Sequence, residues 1–301
     1  MTMELRDIEY FAAVAQHGSI GRAAEHLGLS QPALSKSLRR LEKAMHAKVV
    51  KRTPKGVELT EVGGALLSQV RRLRLTLDDI SREAADLSQG RAGHLRIGSV
   101  GGSGLHLVPM ACGTLLKESP KVTLKMSVQE TGPLLASLRN GELDLVVANL
   151  GAHHEDLVDE HTHDDALVIY ASAKHPLAKR RSLTLADLAG QRWALPSTDS
   201  VSTRILIEEL RIRGLPPLST GVETAYLPAR HHVVAATNLL AVGPRAIARY
   251  AAARFGIAVL RVKDLTLTRR SGVFYRKDAY LSPAARRFIE ILKATAKEIS
   301  G

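Results

Sequence analysis

The chain has 301 residues, 45% of them hydrophobic, a formal charge of +12 and one cysteine, Cys112. That length predicts about two domains of ~100–200 residues. A single cysteine excludes an intrachain disulfide, and no run of ~18 apolar residues is present to cross a membrane. The opening MTMELRDIEYF lacks the apolar core of a secretory signal, so the chain reads as cytoplasmic. The positive balance suggests a polyanionic partner but does not locate it. The first sixty residues hold ten Lys/Arg against six Asp/Glu, a net +4, while residues 91–301 carry +9. Local pattern has to place any nucleic-acid site.

Three short helices are predicted first. Leu5, Ile8, Phe11, Ala12 and Ala15 recur at helical spacing, and His17-Gly18 marks a stop. Ser19 is placed to cap a second helix that runs to Leu27 with Gly28 behind it. Ser30 is placed to cap a third, with Pro32 tolerated in its first turn. Leu34, Leu38, Leu41 and Met45 form the third helix's buried seam. Two helices joined at Gly28-Leu29 must cross steeply, and Ala23 and Ala24 supply the small side chains a close crossing needs.

With the leucine seam buried, Gln31, Ser35, Lys36, Arg39, Arg40 and Lys43 form the outer face. Its beginning (Ser30, Gln31, Pro32, Ala33, Ser35, Lys36) is small and polar enough to enter a major groove, where Gln reads adenine and Lys or Arg reads guanine. Its far end, with Arg39, is basic enough for phosphates. Two short strands, Val49–Lys51 and Val57–Leu59, then flank a tip of Arg52-Thr53-Pro54-Lys55-Gly56, a basic wing for backbone or minor groove. The plain alternative is a solvated amphipathic hairpin. The alanine crossing, the turn spacing and the wing favour DNA.

The stretch YFAAVAQHGSIGRAAEHLGLSQPALSKSLRRLE, followed by RTPKGVELTEVG, resembles the winged helix-turn-helix of the LysR-type transcriptional regulators. One departure is visible. The family usually carries Leu-Gly after the recognition helix, and here Met45-His46 stands there, asking His46 to adopt a left-handed conformation that glycine takes easily.

Residues 62–87 carry Leu66, Val70, Leu73, Leu77, Ile80, Ala84 and Leu87 at alternating spacings of four and three, a heptad seam on one long helix. Such a seam calls for a partner, and self-association is favoured over packing on the chain's own domains. Gln89-Gly90-Arg91-Ala92-Gly93 reads as a hinge. The resemblance implies a homodimer through this linker helix and a homotetramer built from dimers.

From His94 onward strands and helices alternate, which predicts α/β sheets. LRIGSV, VTLKMSVQ, LDLVVANL, ALVIYAS, RWALP, STGVET, LLAVGP and SGVFYR read as strands. Residues 104–117, 131–140, 202–213, 226–236, 244–253 and 283–299 read as helices. The chain leaves one subdomain near 149–165 and returns near 262–273, giving two lobes and a cleft. The resemblance implies the same, a two-lobed periplasmic-binding-protein-like effector domain. The fold class is therefore α/β with an all-α, winged N-terminal domain. The expected division is 1–60 for DNA binding, 61–90 for the linker helix and 91–301 for the effector domain. Within the last, lobe I takes 94–161 and 269–301, and lobe II takes 162–268.

Clefts of this kind hold ligands where strand ends meet helix starts, and the backbone amides there favour anions. The loop Gly98–His106 fits, with Ser99 and Ser103 as hydroxyl donors and Gly101 between them. It is neither a dinucleotide fingerprint nor a nucleophile elbow, which would need glycine at Leu105. Thr131 opens the next helix, and Ser200, Ser202 and Thr203 another. Plain N-capping is the competing explanation for each. The resemblance carries effector contacts to Ser103, Thr131, Asn149, Ser200, Val201 and Ser202, with Glu223 and Thr224 behind them. In TNLLAVGP, Leu239 replaces a family glycine.

HHEDLVDEHTHDD (His153–Asp165) is rich in metal-ligand types. However, His161 and His163 are two apart rather than four, and the segment is expected in a solvated crossover. No metal, cofactor or catalytic residue is assigned, and Trp193 is expected in the core. The reading is a sequence-specific DNA-binding transcriptional regulator, not an enzyme. A small anionic metabolite (an organic or sugar acid) in the cleft switches its DNA complex, and RNA polymerase is a partner if it activates. The rival is a ligand-binding enzyme whose helical N-terminus merely dimerises it.

Overall fold

The computed structural model describes residues 4–54, 56–89, 93–151, 153–197, 200–263 and 265–300. They form two compact units, Met1–Ser81 and Arg82–Gly301. No described helix is long and apolar enough to cross a membrane.

The first unit opens with α1 (Leu5–His17), α2 (Ile20–Leu27) and α3 (Gln31–Ala44). Local chemistry sets their ends. Gly18 and Gly28 close α1 and α2 in the left-handed conformation. Ser19 and Ser30 open α2 and α3 by accepting the amides of Arg22 and Ala33, at 3.5 and 3.3 Å. Past α3, His46 takes a φ of 51°, the conformation glycine would have adopted more cheaply. Ala23 and Ala24 are buried in one cluster with Phe11, Leu34, Leu38 and Leu41, so the small residues sit at the helix crossing.

The buried face of α1 differs from the expected stripe. Leu5 is exposed and Ala15 half-buried, whereas Asp7, Ala13 and Val14 are buried. The reason is that α1 packs on both α2 and α3, which widens its buried arc. Asp7 is the surprise. Ser37 Oγ donates to its Oδ1 and Arg40 Nε to its Oδ2, both at 2.6 Å. Arg40 is thus drawn off the outer face of α3 and into a tie between α1 and α3.

Strands β1 (Val50–Thr53) and β2 (Gly56–Leu59) pair antiparallel. They run further into the tip than expected, so Arg52 and Thr53 lie in β1. Lys55 lies outside the described residues. Gly56, at φ 131°, lets the wing lie against the α1–α2 turn, where Val57 N donates to Gly18 O at 2.9 Å. Helix α4 (Glu61–Gln89) follows, its start fixed by Gly63 N donating to Thr60 Oγ1 at 3.0 Å. Along its seam Leu66 and Val70 pack into the first unit's core, while Leu73, Leu77 and Ile80 are 39%, 44% and 56% exposed. Ala84 is exposed as well. The side chain of Leu87 and the hinge residues Gly90, Arg91 and Ala92 lie outside the described set.

The second unit begins β3 (His94–Ser99), α5 (Gly101–Leu105), α6 (Leu107–Glu118), β4 (Thr123–Val128), α7 (Thr131–Arg139), β5 (Leu145–Asn149) and β6 (Leu157–Ser172). It continues with β7 (Arg192–Leu195), α8 (Val201–Ile212), β8 (Ser219–Glu223), α9 (Leu227–Ala236), β9 (Ala241–Pro244) and α10 (Arg245–Phe255). It ends with β10 (Ile257–Val259), β11 (Leu267–Arg276) and α11 (Pro283–Ser300). The helix expected over 104–117 is broken at His106, whose φ of −134° and ψ of −66° separate α5 from α6. Strand β10, three residues long, was not anticipated.

In the main sheet β4, β3 and β5 run parallel, and β5 pairs antiparallel with β11, which pairs with β6 along its length. The polar segment expected as a solvated crossover is therefore mostly strand. His161, Thr162 and His163 belong to β6, with a bulge opposite Ser271/Gly272. Pairing with β11 satisfies that backbone, so its polar side chains alternate outward. Two lobes share these long strands. The core of one is built on Leu95, Ile97, Val147, Phe288 and Leu292. The core of the other holds Leu167, Ile169, Leu206 and Trp193, which is 1% exposed.

Candidate functional site

Two surfaces carry chemistry. On the first unit, the exposed face of α3 presents Ser30, Gln31, Pro32, Ala33, Lys36 and Arg39, with Ser35 half-buried. Arg52 is exposed and Thr53 half-buried on the wing. Among the described residues no carboxylate lies within 4 Å of Lys36, Arg39 or Arg52, whereas Lys48 and Lys51 are paired with Glu42 and Glu58. Unpaired cations beside a small polar helix start can meet phosphate and base edges at once. Arg40 cannot, being held by Asp7 and, at 3.5 Å, by Glu4.

The second surface is a cavity of about 650 Å³ between the lobes. One wall is the loop Val100–Leu105, less Ser103, with Val128–Thr131 and Asn149. The other is Pro196, Ser200–Ser202, Ala225–Pro228, Arg230 and Val242–Pro244, and Arg269 of β11 closes the floor. The structure brings Gly101, Thr131, Asn149, Ser200, Val201 and Ser202 together here. It leaves two expected residues out. Ser99 is 1% exposed at the end of β3 and donates its hydroxyl to Val100 O at 3.2 Å. Ser103 faces a separate, smaller cavity of about 170 Å³ lined also by His106, His163, Asp165 and Arg249. Ser99 is buried under the sheet end of β3, and Ser103 lies on the side of the single turn of α5 that faces away from the larger cavity. Glu223 and Thr224 do not line the cavity, and Leu239 packs over Gly221 instead.

Two of the serines are already committed. Ser200 caps α8, accepting from Thr203 N at 3.2 Å, so the capping explanation applies to it. Ser202 Oγ accepts from Arg269 Nη1 at 3.3 Å, and Arg269 Nη2 donates to Asp165 Oδ2 at 2.7 Å. Burial alone would raise the Asp165 carboxyl, but bonds from His163 and Arg269 outweigh it and hold it down to about 2.

Sequence reasoning missed Arg230. It lies in α9, is 5% exposed, lines the cavity, and has neither Nε nor Nη1 hydrogen-bonded. Nothing in a helical pattern marks one arginine as the inward one. Next to it, His231 is fully buried between Tyr170 and Phe255, with ring centroids 5.8 and 5.4 Å away. Burial, then the charges of Arg230 and His232, push its imidazole down to about 4. Unfolding frees it to bind a proton below pH ~6.5, so stability falls on acidification from there to about 4 and then levels off. The loss across that window is on the order of 3 kcal/mol. Urea unfolding of His231→Phe should show a flatter stability profile than wild type between those two pH values; parallel profiles would refute this assignment.

Cys112 is buried, its Sγ 3.7 Å from Met126 Sδ, and burial pushes its thiol up to about 11. It is not a poised thiolate.

Residues 5–64 match the bacterial regulatory helix-turn-helix protein, lysR family, and residues 88–297 match the LysR substrate binding domain. The HTH-type transcriptional regulator GbpR of Azospirillum brasilense is 28% identical over 98% of this chain and 87% of its own. The SDS degradation transcriptional activation protein of a Pseudomonas species is 32% identical over 94% and 93%. Among solved structures, full-length CbnR complexed with its target DNA superposes with a TM-score of 0.68 at 21% identity, covering 98% of this chain and 100% of that one. The effector binding domain of QuiR in complex with shikimate gives 0.61 at 21%, covering 68% and 98%. With its N-terminal region matched to a DNA-binding module and most of the remainder to a ligand-binding domain, the chain belongs to the LysR family and is a DNA-binding transcriptional regulator rather than an enzyme.

Proposed function

We propose that residues 1–60 dock α3 in a major groove of operator DNA, with Gln31, Pro32, Ala33, Ser35 and Lys36 at base edges. Arg39, Arg52 and Lys55 hold phosphate or minor groove, while Ser30 and Thr53 support the helix start and the wing. The observation that carries this is the unpaired state of Lys36, Arg39 and Arg52 on a face otherwise small and polar. Lys36→Ala should lose about 1–3 kcal/mol at particular base pairs if it reads bases, and weaken all duplexes alike if it meets phosphate only. Unchanged operator affinity would reject both roles.

Residues 61–90 form the linker, and the exposed Leu73, Leu77 and Ile80 make it a homodimer seam, spacing two half-sites; tetramers are built from such dimers. Leu77→Glu is expected to lower the mass seen in sedimentation, and an unaltered assembly would count against the seam. Residues 91–301 bind the effector in the cleft between lobe I (94–161, 269–301) and lobe II (162–268). The shikimate held by QuiR supports a small organic anion here. The ligand acts by favouring one arrangement of the lobes over another. Activation would then work through contact with RNA polymerase, in the cytoplasm. A thermal-shift screen of organic and sugar acids tests the cleft; no stabilisation by any of them would argue against it.

A further inference from the structure

We propose that Arg230 is the anion receptor of the cleft and that the effector is a singly charged oxyanion, a carboxylate or sulfate, on an apolar body. This rests on the cleft being the effector site.

Among the described residues two arginines, Arg230 and Arg269, line the cleft. Arg269 is spent, bonded to Asp165 and Ser202. Arg230 is 5% exposed, lines the same cavity, and has two guanidinium nitrogens buried without a hydrogen-bond partner. Among the described residues no carboxylate lies within 4 Å of it. A guanidinium does not shed its proton in a protein, so burial cannot be relieved by neutralisation as it can for lysine. A buried cation is tolerated where an oxyanion meets it, and its fork geometry suits a carboxylate or sulfate. Tyr170, whose buried hydroxyl lies close to this arginine without a well-formed hydrogen bond to it, offers no negative charge at neutral pH, since burial raises its phenol more than Arg230 lowers it.

The number of uncommitted cations sets the charge of the ligand. Among the described residues one such guanidinium faces the cavity, and Glu130, on its rim, is exposed and acidic. A second anionic group on the ligand would therefore find no cation. The remaining walls set the body. Val100, Leu105, Val128, Leu227 and Val242 are hydrocarbon, and a cavity of about 650 Å³ falls in the range that encloses a drug-sized molecule. Asn149 adds one buried oxygen, Oδ1, that lacks a donor, a place for a single hydroxyl on an otherwise apolar frame.

The test uses the full-length protein and three probe pairs at matched ionic strength: benzoate with benzamide, octanoate with octanamide, hexyl sulfate with hexanol. Thermal shift and calorimetry are run on wild type, Arg230→Met, Arg230→Gln, Arg230→Lys and a cleft-filling Val201→Trp. At least one anion should stabilise wild type more than its neutral partner. Its affinity should fall about 10- to 100-fold in Arg230→Met and Arg230→Gln, partly recover in Arg230→Lys, and vanish in Val201→Trp. Without ligand, Arg230→Met should melt no lower than wild type, because a buried charge has been replaced by a methylene stem. A purely structural arginine would give the reverse, a lower melting point with anion shifts intact. If neutral partners stabilise as well as anions, with the effect lost only in Val201→Trp, the effector cleft stands and the anion receptor falls. If no anion stabilises wild type more than Arg230→Met, the proposal is overturned. Shifts that survive in Val201→Trp would remove the cleft reading itself.

Discussion

Gly63→Ala is expected to destabilise the DNA-binding unit by at least about 2–3 kcal/mol, while Gly64→Ala, one residue on, stabilises it by about 0.5–1 kcal/mol. A Cβ on Gly63 would sit 1.9 Å from Val49 O and 2.9 Å from Val49 C. Both obstacles are backbone, so no rotamer change relieves them. That same carbonyl accepts from Thr60 N at 3.2 Å, and Thr60 caps α4, so pushing the helix away would cost the cap too. Gly64 has open space around its position and is exposed. There alanine simply removes the glycine penalty of a helix interior. Denaturant titration of the two variants decides it. Similar midpoints for both would mean α4 does not press on Val49 as described.

Asp7→Ala is expected to cost on the order of 2–4 kcal/mol, an effect that no surface view of α1 would anticipate. The carboxylate is fully buried and receives Ser37 and both ends of the Arg40 fork. Removing it strands a half-buried guanidinium and a buried hydroxyl together. Burial by itself would raise the Asp7 carboxyl, but Arg40 and Ser37 bond its charged form and hold it below the usual carboxylate range. Its folded value lies under its unfolded one, so its contribution is full above pH ~4 and fades as pH falls through the folded value. A double-mutant cycle with Arg40→Ala should return a coupling above ~1 kcal/mol. Additive losses would show the pair to be incidental.

How much of this could be read from the chain alone depends on the range of each interaction. Helix ends in the first unit were legible because Ser19, Ser30, Gly18 and Gly28 act on neighbours a few residues away. The crossing at Ala23 and Ala24 was legible because small residues at a tight turn have few other uses. Asp7 was not, since its partners are thirty and thirty-three residues distant. Gly63 and Gly64 look alike in sequence, and only the backbone of Val49, just before β1, passing against one of them separates their roles. The polar run before Asp165 reads as a loop because its strand character comes from β11, a hundred residues later. In the cleft, Thr131 and Ser200 follow from strand-to-helix turns, whereas Asn149 and Val201 follow only from the family resemblance. Ser99 and Ser103 were misplaced because which way each hydroxyl faces is set by how the end of β3 and the turn of α5 pack, not by neighbours in sequence. Arg230 was invisible for a related reason: its burial is a property of how α9 packs, and α9 has charged and apolar residues on several faces.

The most direct test is duplex binding by the full-length protein with Gln31, Ser35 and Lys36 all replaced by alanine. Fluorescence anisotropy would compare a duplex selected by the wild type from a random pool with a scrambled one. The variant should lose its preference for the selected duplex while keeping weak, salt-dependent attraction to both, because Arg39 and Arg52 remain. Full selectivity in that variant would contradict the account.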